Sequence, residues 1–207
     1  MPQLKMSMEL IILIINIKSI QYLTVSGGEY LEEEFYQFIQ HPSIKPYIGD
    51  DYETADKKIF VIGESHYIKT FEKFEISDWY DLNDQTFIEK AKPKDGNGWF
   101  YTDFIFRNAQ QKYSKDQPIE RAKKIMWMIP RCMHEVKYNE ILNKKQISKQ
   151  MNQILFFNFF SRPVNIVGAS IEETELDIIE ANKKFEYLVD KYRPDKVFVL
   201  SKKVFSV

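Results

Sequence analysis

Three apolar runs constrain this chain most: Ile59-Phe60-Val61-Ile62, Ile154-Leu155-Phe156-Phe157-Asn158-Phe159-Phe160 and Val197-Phe198-Val199-Leu200. Each is short and, apart from Asn158, free of polar residues, which predicts strands buried on both faces, as in a parallel sheet. The segments between them are long enough for helical crossovers. Parallel strands need such crossovers, and those place helices on both faces of the sheet. The fold class read from the sequence is therefore α/β, a three-layer α/β/α arrangement with a central parallel sheet. At 207 residues, 44% hydrophobic, the chain suffices for one such domain. We assign it to residues 29–207 and set residues 1–28 apart as an N-terminal extension. Within that extension, Leu10 to Ile17 falls short of the about 20 residues that span a bilayer, and it reads either as a first strand or as a leader.

Apolar residues at Leu31, Phe35, Phe38 and Ile39 repeat at helical spacing, so a helix is expected to run to about Gln40 and to end at His41-Pro42. Lys45 to Asp50 reads as a loop, and Asp78 to Gly98 as a long irregular surface connection. Helical patterns resume near Tyr101, and a further helix is expected from Pro118 to a break at Pro130. Ser170-Ile171-Glu172-Glu173 matches a capping box, and Leu176, Ile179, Phe185, Leu188 and Tyr192 mark the apolar residues of the long helix that follows, up to Arg193-Pro194. After Leu200, two large apolar residues fall in the opening turn of another helix. A helix that short is marginal. The domain is thus expected to lack its last strand and helix, leaving the edge of the third strand unpaired.

The formal net charge of −1 excludes a broad cationic field of the kind that holds duplex DNA through its phosphates. Lysine clusters such as Lys90-Ala91-Lys92-Pro93-Lys94 alternate with acidic residues and read as solvated surface. Cys132 is the single cysteine, which rules out an intramolecular disulfide and a cysteine-ligated cluster and agrees with a reducing cytoplasm. With His41, His66 and His134 as the only histidines, no metal site is expected.

Chemistry concentrates in Gly63-Glu64-Ser65-His66-Tyr67, which follows the first core strand and so places ionisable side chains at a strand end, where open α/β sheets carry their sites. Glu64 there is either a catalytic carboxylate or a cap on backbone N–H groups. Asn158, the polar residue in the second run, either faces a ligand or satisfies a neighbouring loop. Ser65 and His66 are adjacent and point apart. A nucleophile at Ser65 would have to be served by the distant His134.

Gly63-Glu64-Ser65-His66-Tyr67, Leu155-Phe156-Phe157-Asn158 and Arg193-Pro194-Asp195-Lys196-Val197-Phe198-Val199-Leu200 resemble, in order and spacing, three motifs of the uracil-DNA glycosylase superfamily. The resemblance covers roughly Ile59 to Val207. It implies a glycosylase-like fold and a hydrolase of DNA repair that excises or recognises a flipped pyrimidine base without metal or other cofactor. Its partners would be single-stranded or damaged DNA, or a free nucleobase or nucleotide. Carried over residue by residue, Glu64 orients the attacking water and faces the cationic sugar, Asn158 reads the uracil edge, Tyr67 walls the pocket, and Gly63, Ser65 and His66 complete the substrate site. Ser65 stands where the best-known branch has the water-positioning aspartate. Glu64 matches a branch that also carries an iron-sulfur cluster on four cysteines, which this chain lacks. The family's final histidine-proline-serine motif has no counterpart after the third strand, and His41-Pro42-Ser43 lies far upstream.

Two further classes fit the same residues. A non-catalytic module would keep the base pocket for binding alone. A serine esterase is suggested by Gly63-Glu64-Ser65, similar to the glycine-aspartate-serine block of that class, although no histidine follows His134 to complete it.

Overall fold

The three apolar runs are the central strands of one sheet. The computed structural model describes residues 13–16, 34–68, 74–93, 102–114, 129, 144–164 and 170–205. In chain order the elements are β1 (Leu13–Asn16), α1 (Tyr36–Gln40), a 3-10 turn (Pro42–Ile44), β2 (Tyr47–Ile48), β3 (Ile59–Gly63), α2 (Ile76–Asp81), α3 (Asp84–Ala91), α4 (Thr102–Ser114), α5 (Lys144–Met151), β4 (Ile154–Asn158), α6 (Glu175–Tyr192), β5 (Lys196–Val199) and α7 (Lys202–Phe205). The strand order is β1-β5-β3-β4-β2. β3 pairs in parallel with β4 on one side and β5 on the other, while β1 and β2 join the outer edges antiparallel.

Period-two alternation divides the core between the two faces of this sheet. Phe60, Ile62, Leu155, Phe157, Val197 and Val199 pack with Trp79 of α2, Phe87 and Ala91 of α3, and Ala181, Leu188 and Val189 of α6. Ile59, Val61, Ile154, Phe156 and Phe198 pack with Tyr47 of β2, Phe106 of α4, and Ile147 and Met151 of α5. Each large apolar side chain so buried contributes roughly 1.5–3 kcal/mol. The Phe106 ring, 4.4 Å from that of Phe156 and 4.7 Å from that of Tyr47, seals the second face. Among the described residues no helix is long and apolar enough to cross a membrane.

Several sequence expectations are corrected. Lys45 to Asp50 is not all loop: Tyr47 and Ile48 pair with Phe156 and Leu155 as an edge strand. The stretch expected to be irregular from Asp78 holds α2 and α3, because Glu75 with Asp78 forms a capping box, Asn83 caps Thr86 N–H, and Trp79, Phe87 and Ala91 turn inward. The long helix α6 starts later than Ser170: its capping box is Thr174 with Asp177. The outer edge of β5 is not unpaired, since Leu13–Asn16, inside the stretch set apart as an extension, lie along it. The helix expected from Pro118 to Pro130 lies outside the described residues except for Ile129, which is helical and buried. His134 and Cys132 also lie outside them.

Candidate functional site

The parallel order β4-β3-β5 puts the first core strand between its two successors. The crossover from β4 to β5 therefore passes over β3, and the C-terminal ends of β3 and β5 border a topological switch point, the usual place for a ligand crevice in an open α/β sheet. Gly63 closes β3 there, opposite Asn158 in the register with β4. A Cβ on residue 63 would sit 2.2 Å from Asn158 Oδ1 and 2.9 Å from Phe156 Cζ. The Asn158 amide lies across the glycine, and a larger residue there would have to push that side chain aside.

Glu64 uses both carboxylate oxygens within the fold. Oε1 accepts from the Ile171 backbone N–H at 3.0 Å and Oε2 from Ser201 Oγ at 2.7 Å. Ser201 Oγ in turn accepts from Lys203 N–H at 3.2 Å, at the start of α7. Lys203 Nζ pairs with Glu173 and donates to the Ile171 carbonyl, so the segment before α6 and the start of α7 are tied together at Glu64. Ile171 and Val204 belong to the core face of Phe60 and Ile62, whereas the Asn158 amide sits beside Phe156 of the other face. The carboxylate and the amide expected to share one pocket thus leave the strand ends on the sides of different core clusters.

Ser65 is buried, 5% exposed, and its Oγ has no hydrogen-bond partner among the described residues. The His66 carbonyl accepts from Val164 N–H at 2.7 Å, which fixes the turn against the chain leaving β4. Its imidazole is fully buried. Desolvation, with the nearby Lys184 amine as a second cause, pushes the pKa down to about 3, so the ring is neutral at pH 7. Tyr67 is half-buried and bridges Val164, and burial followed by the Glu64 charge raises its phenol pKa.

Lys184 of α6 was not anticipated. Its Nζ donates to the Asn158 carbonyl at 2.8 Å and to Ser161 Oγ at 2.9 Å. Ser161 passes its own proton to Gln37 Oε1 at 2.7 Å, and Gln37 Nε2 donates to Glu180 at 2.9 Å. The signal was present in the phase of α6: Asp177, Ala181, Lys184 and Leu188 recur at i, i+4, i+7 and i+11, one face of a helix, and this is the face that is buried. Leu176 and Ile179, taken from the sequence as its apolar residues, are 42% and 43% exposed.

The esterase expectation pairs Ser65 with His134, which lies outside the described residues. His41 bonds Asp84 at 2.8 Å and the Trp79 carbonyl at 2.8 Å, and Ser43 bonds Asp84 rather than the imidazole. No group of three or more potential metal ligands occurs among the described residues. Comparison of the chain with protein-family models, curated proteins and solved structures finds no match.

Proposed function

We propose that the chain is a uracil-DNA glycosylase-like α/β module that recognises a pyrimidine base, free or displaced from single-stranded DNA, at the C-terminal ends of β3 and β4 without cleaving it. The observation that carries this reading is the Asn158 amide lying across Gly63 at the end of the central strand, since an amide can both donate to a uracil carbonyl and accept from its ring N–H. Helical cover on both faces of the sheet, as a three-layer α/β/α fold requires, supports the same reading. Glu64 favours recognition over excision. Each of its oxygens already accepts one hydrogen bond, from Ile171 and from Ser201, which leaves it fewer acceptor sites for orienting a water than an unengaged carboxylate has. The −1 net charge fits recognition of a base rather than of a phosphate backbone.

The test is fluorescence anisotropy with single-stranded oligonucleotides that carry or lack uracil, run beside an alkaline assay for abasic sites. The expected result is uracil-dependent binding that Asn158→Ala weakens about tenfold, equivalent to ~1.4 kcal/mol, with no base release. Equal affinity for both oligonucleotides refutes base recognition. Abasic sites formed by the wild type and lost in Glu64→Gln establish excision instead.

A further inference from the structure

We propose that Lys184 is a positioning residue that, as an uncharged amine, holds the end of β4, and that its protonation loosens Asn158 and the residues after it. The direction of every hydrogen bond in the network can be assigned. The Glu180 carboxylate only accepts, so Gln37 presents Nε2 to it and turns Oε1 to Ser161. Ser161 spends its single proton on Oε1 and can only accept from Lys184, and the Asn158 carbonyl likewise only accepts. Lys184 must therefore donate twice. A neutral amine has two N–H groups, matching the two acceptors. An ammonium has a third, for which the described residues offer no further hydrogen-bond partner; the Phe157 ring centroid lies 6.0 Å away, at the outer limit of a cation–π contact.

The surroundings agree. Lys184 is 1% exposed, and burial alone pushes its pKa down to about 7. The charged or titratable groups around it are engaged elsewhere or carry no charge. His66, from the turn after β3, is neutral; Glu180, one turn earlier on α6, is held by Tyr36 and Gln37 of α1 and by Lys183. Arg162, after β4, pairs with Asp177 at 2.8 Å. A proton arriving on Lys184 finds no carboxylate within ion-pair distance among the described residues and has to recruit another acceptor, which disturbs the strand end. The inference concerns the Asn158 site of the proposed function, but its test uses no ligand, so the two can fail separately.

The experiment is NMR of the full chain with lysine labelled at Cε, combined with amide hydrogen exchange across pH 5–10. One lysine resonance is expected to titrate near neutrality, well below the about 10.4 of an ordinary lysine, and to be absent from Lys184→Met. Exchange protection of the Phe159 and Phe160 N–H groups, which bond the Gly63 and Glu64 carbonyls, is expected to fall as the pH drops from about 10 towards that midpoint, by up to about tenfold per pH unit, the limit for uptake of one proton, and to level off below it. In Ser161→Ala, which removes one acceptor, the midpoint should drop further; this variant serves if Lys184→Met does not fold. Lysines that all titrate near their ordinary value, or protection at Phe159 and Phe160 that ignores the Lys184 midpoint, overturn the proposal.

Discussion

His66 and Lys184 show what burial does to a base. An unfolded histidine titrates near 6.5 and folded His66 at about 3, so between those values the unfolded chain binds more protons and stability falls as the pH falls. Lys184 acts in the same direction higher up: between about 7 and the about 10.4 of an unfolded lysine, stability rises with pH. For His66 the expected outcome is a wild type that loses up to about 1.4 kcal/mol per pH unit from about pH 6.5 downward relative to His66→Gln, measured by urea denaturation. Parallel losses in the two proteins would show that the imidazole stays accessible. The sequence places His66 just past a strand end and expects it in a substrate site. What it could not supply was the amine, 118 positions further along, and the depth of burial that together make the ring a neutral packing element.

At the scale of the element, α6 is oriented by its polar residues. Asp177 accepts two hydrogen bonds from Arg162, at 2.9 and 2.8 Å, and one from the Tyr80 hydroxyl at 2.6 Å. Burial works against its charge, but the hydrogen bonds to Arg162 and Tyr80 outweigh that cost and hold its carboxyl below the usual range. Glu180 and Lys184 continue the same buried stripe, so Leu176 and Ile179 are turned outward. Asp177→Ala is expected to cost about 3–5 kcal/mol in denaturant titration, because it strands a buried guanidinium as well as removing the N3 half of the Thr174 capping box. A loss under about 1 kcal/mol would mean that the Arg162 side chain escapes to water. The C-terminal limit of α6 was legible, since its end at Arg193-Pro194 is local chemistry, whereas its start was expected too early, at Ser170 instead of Thr174. Its rotation was not legible, because apolar periodicity assumes that carboxylates and amines stay out of a core. Here partners on α1, α2 and the segment after β4 bring them in.

Across the whole molecule, Glu64 joins segments that are remote in sequence: the end of β3, the stretch before α6 and, 137 positions away, Ser201 after β5. Glu64→Ala leaves the Ile171 N–H without its acceptor and should cost about 1–3 kcal/mol. Glu64→Gln, which keeps one acceptor oxygen, should cost less, and equal stability of all three proteins would deny the tie.

The sequence by itself determined the three central strands, their parallel sense and the placement of Gly63 and Asn158 at their C-terminal ends. Unbroken apolar runs separated by crossover-length segments have few other solutions. Only the tertiary structure decided that β1 and β2 close the outer edges, that Asn158 lies across Gly63, that Glu64 acts as a cap, and that a lysine amine is buried beneath the strand end. Those outcomes depend on where distant hydrogen-bonding groups find their partners once water is excluded, and no local pattern of residues encodes that pairing.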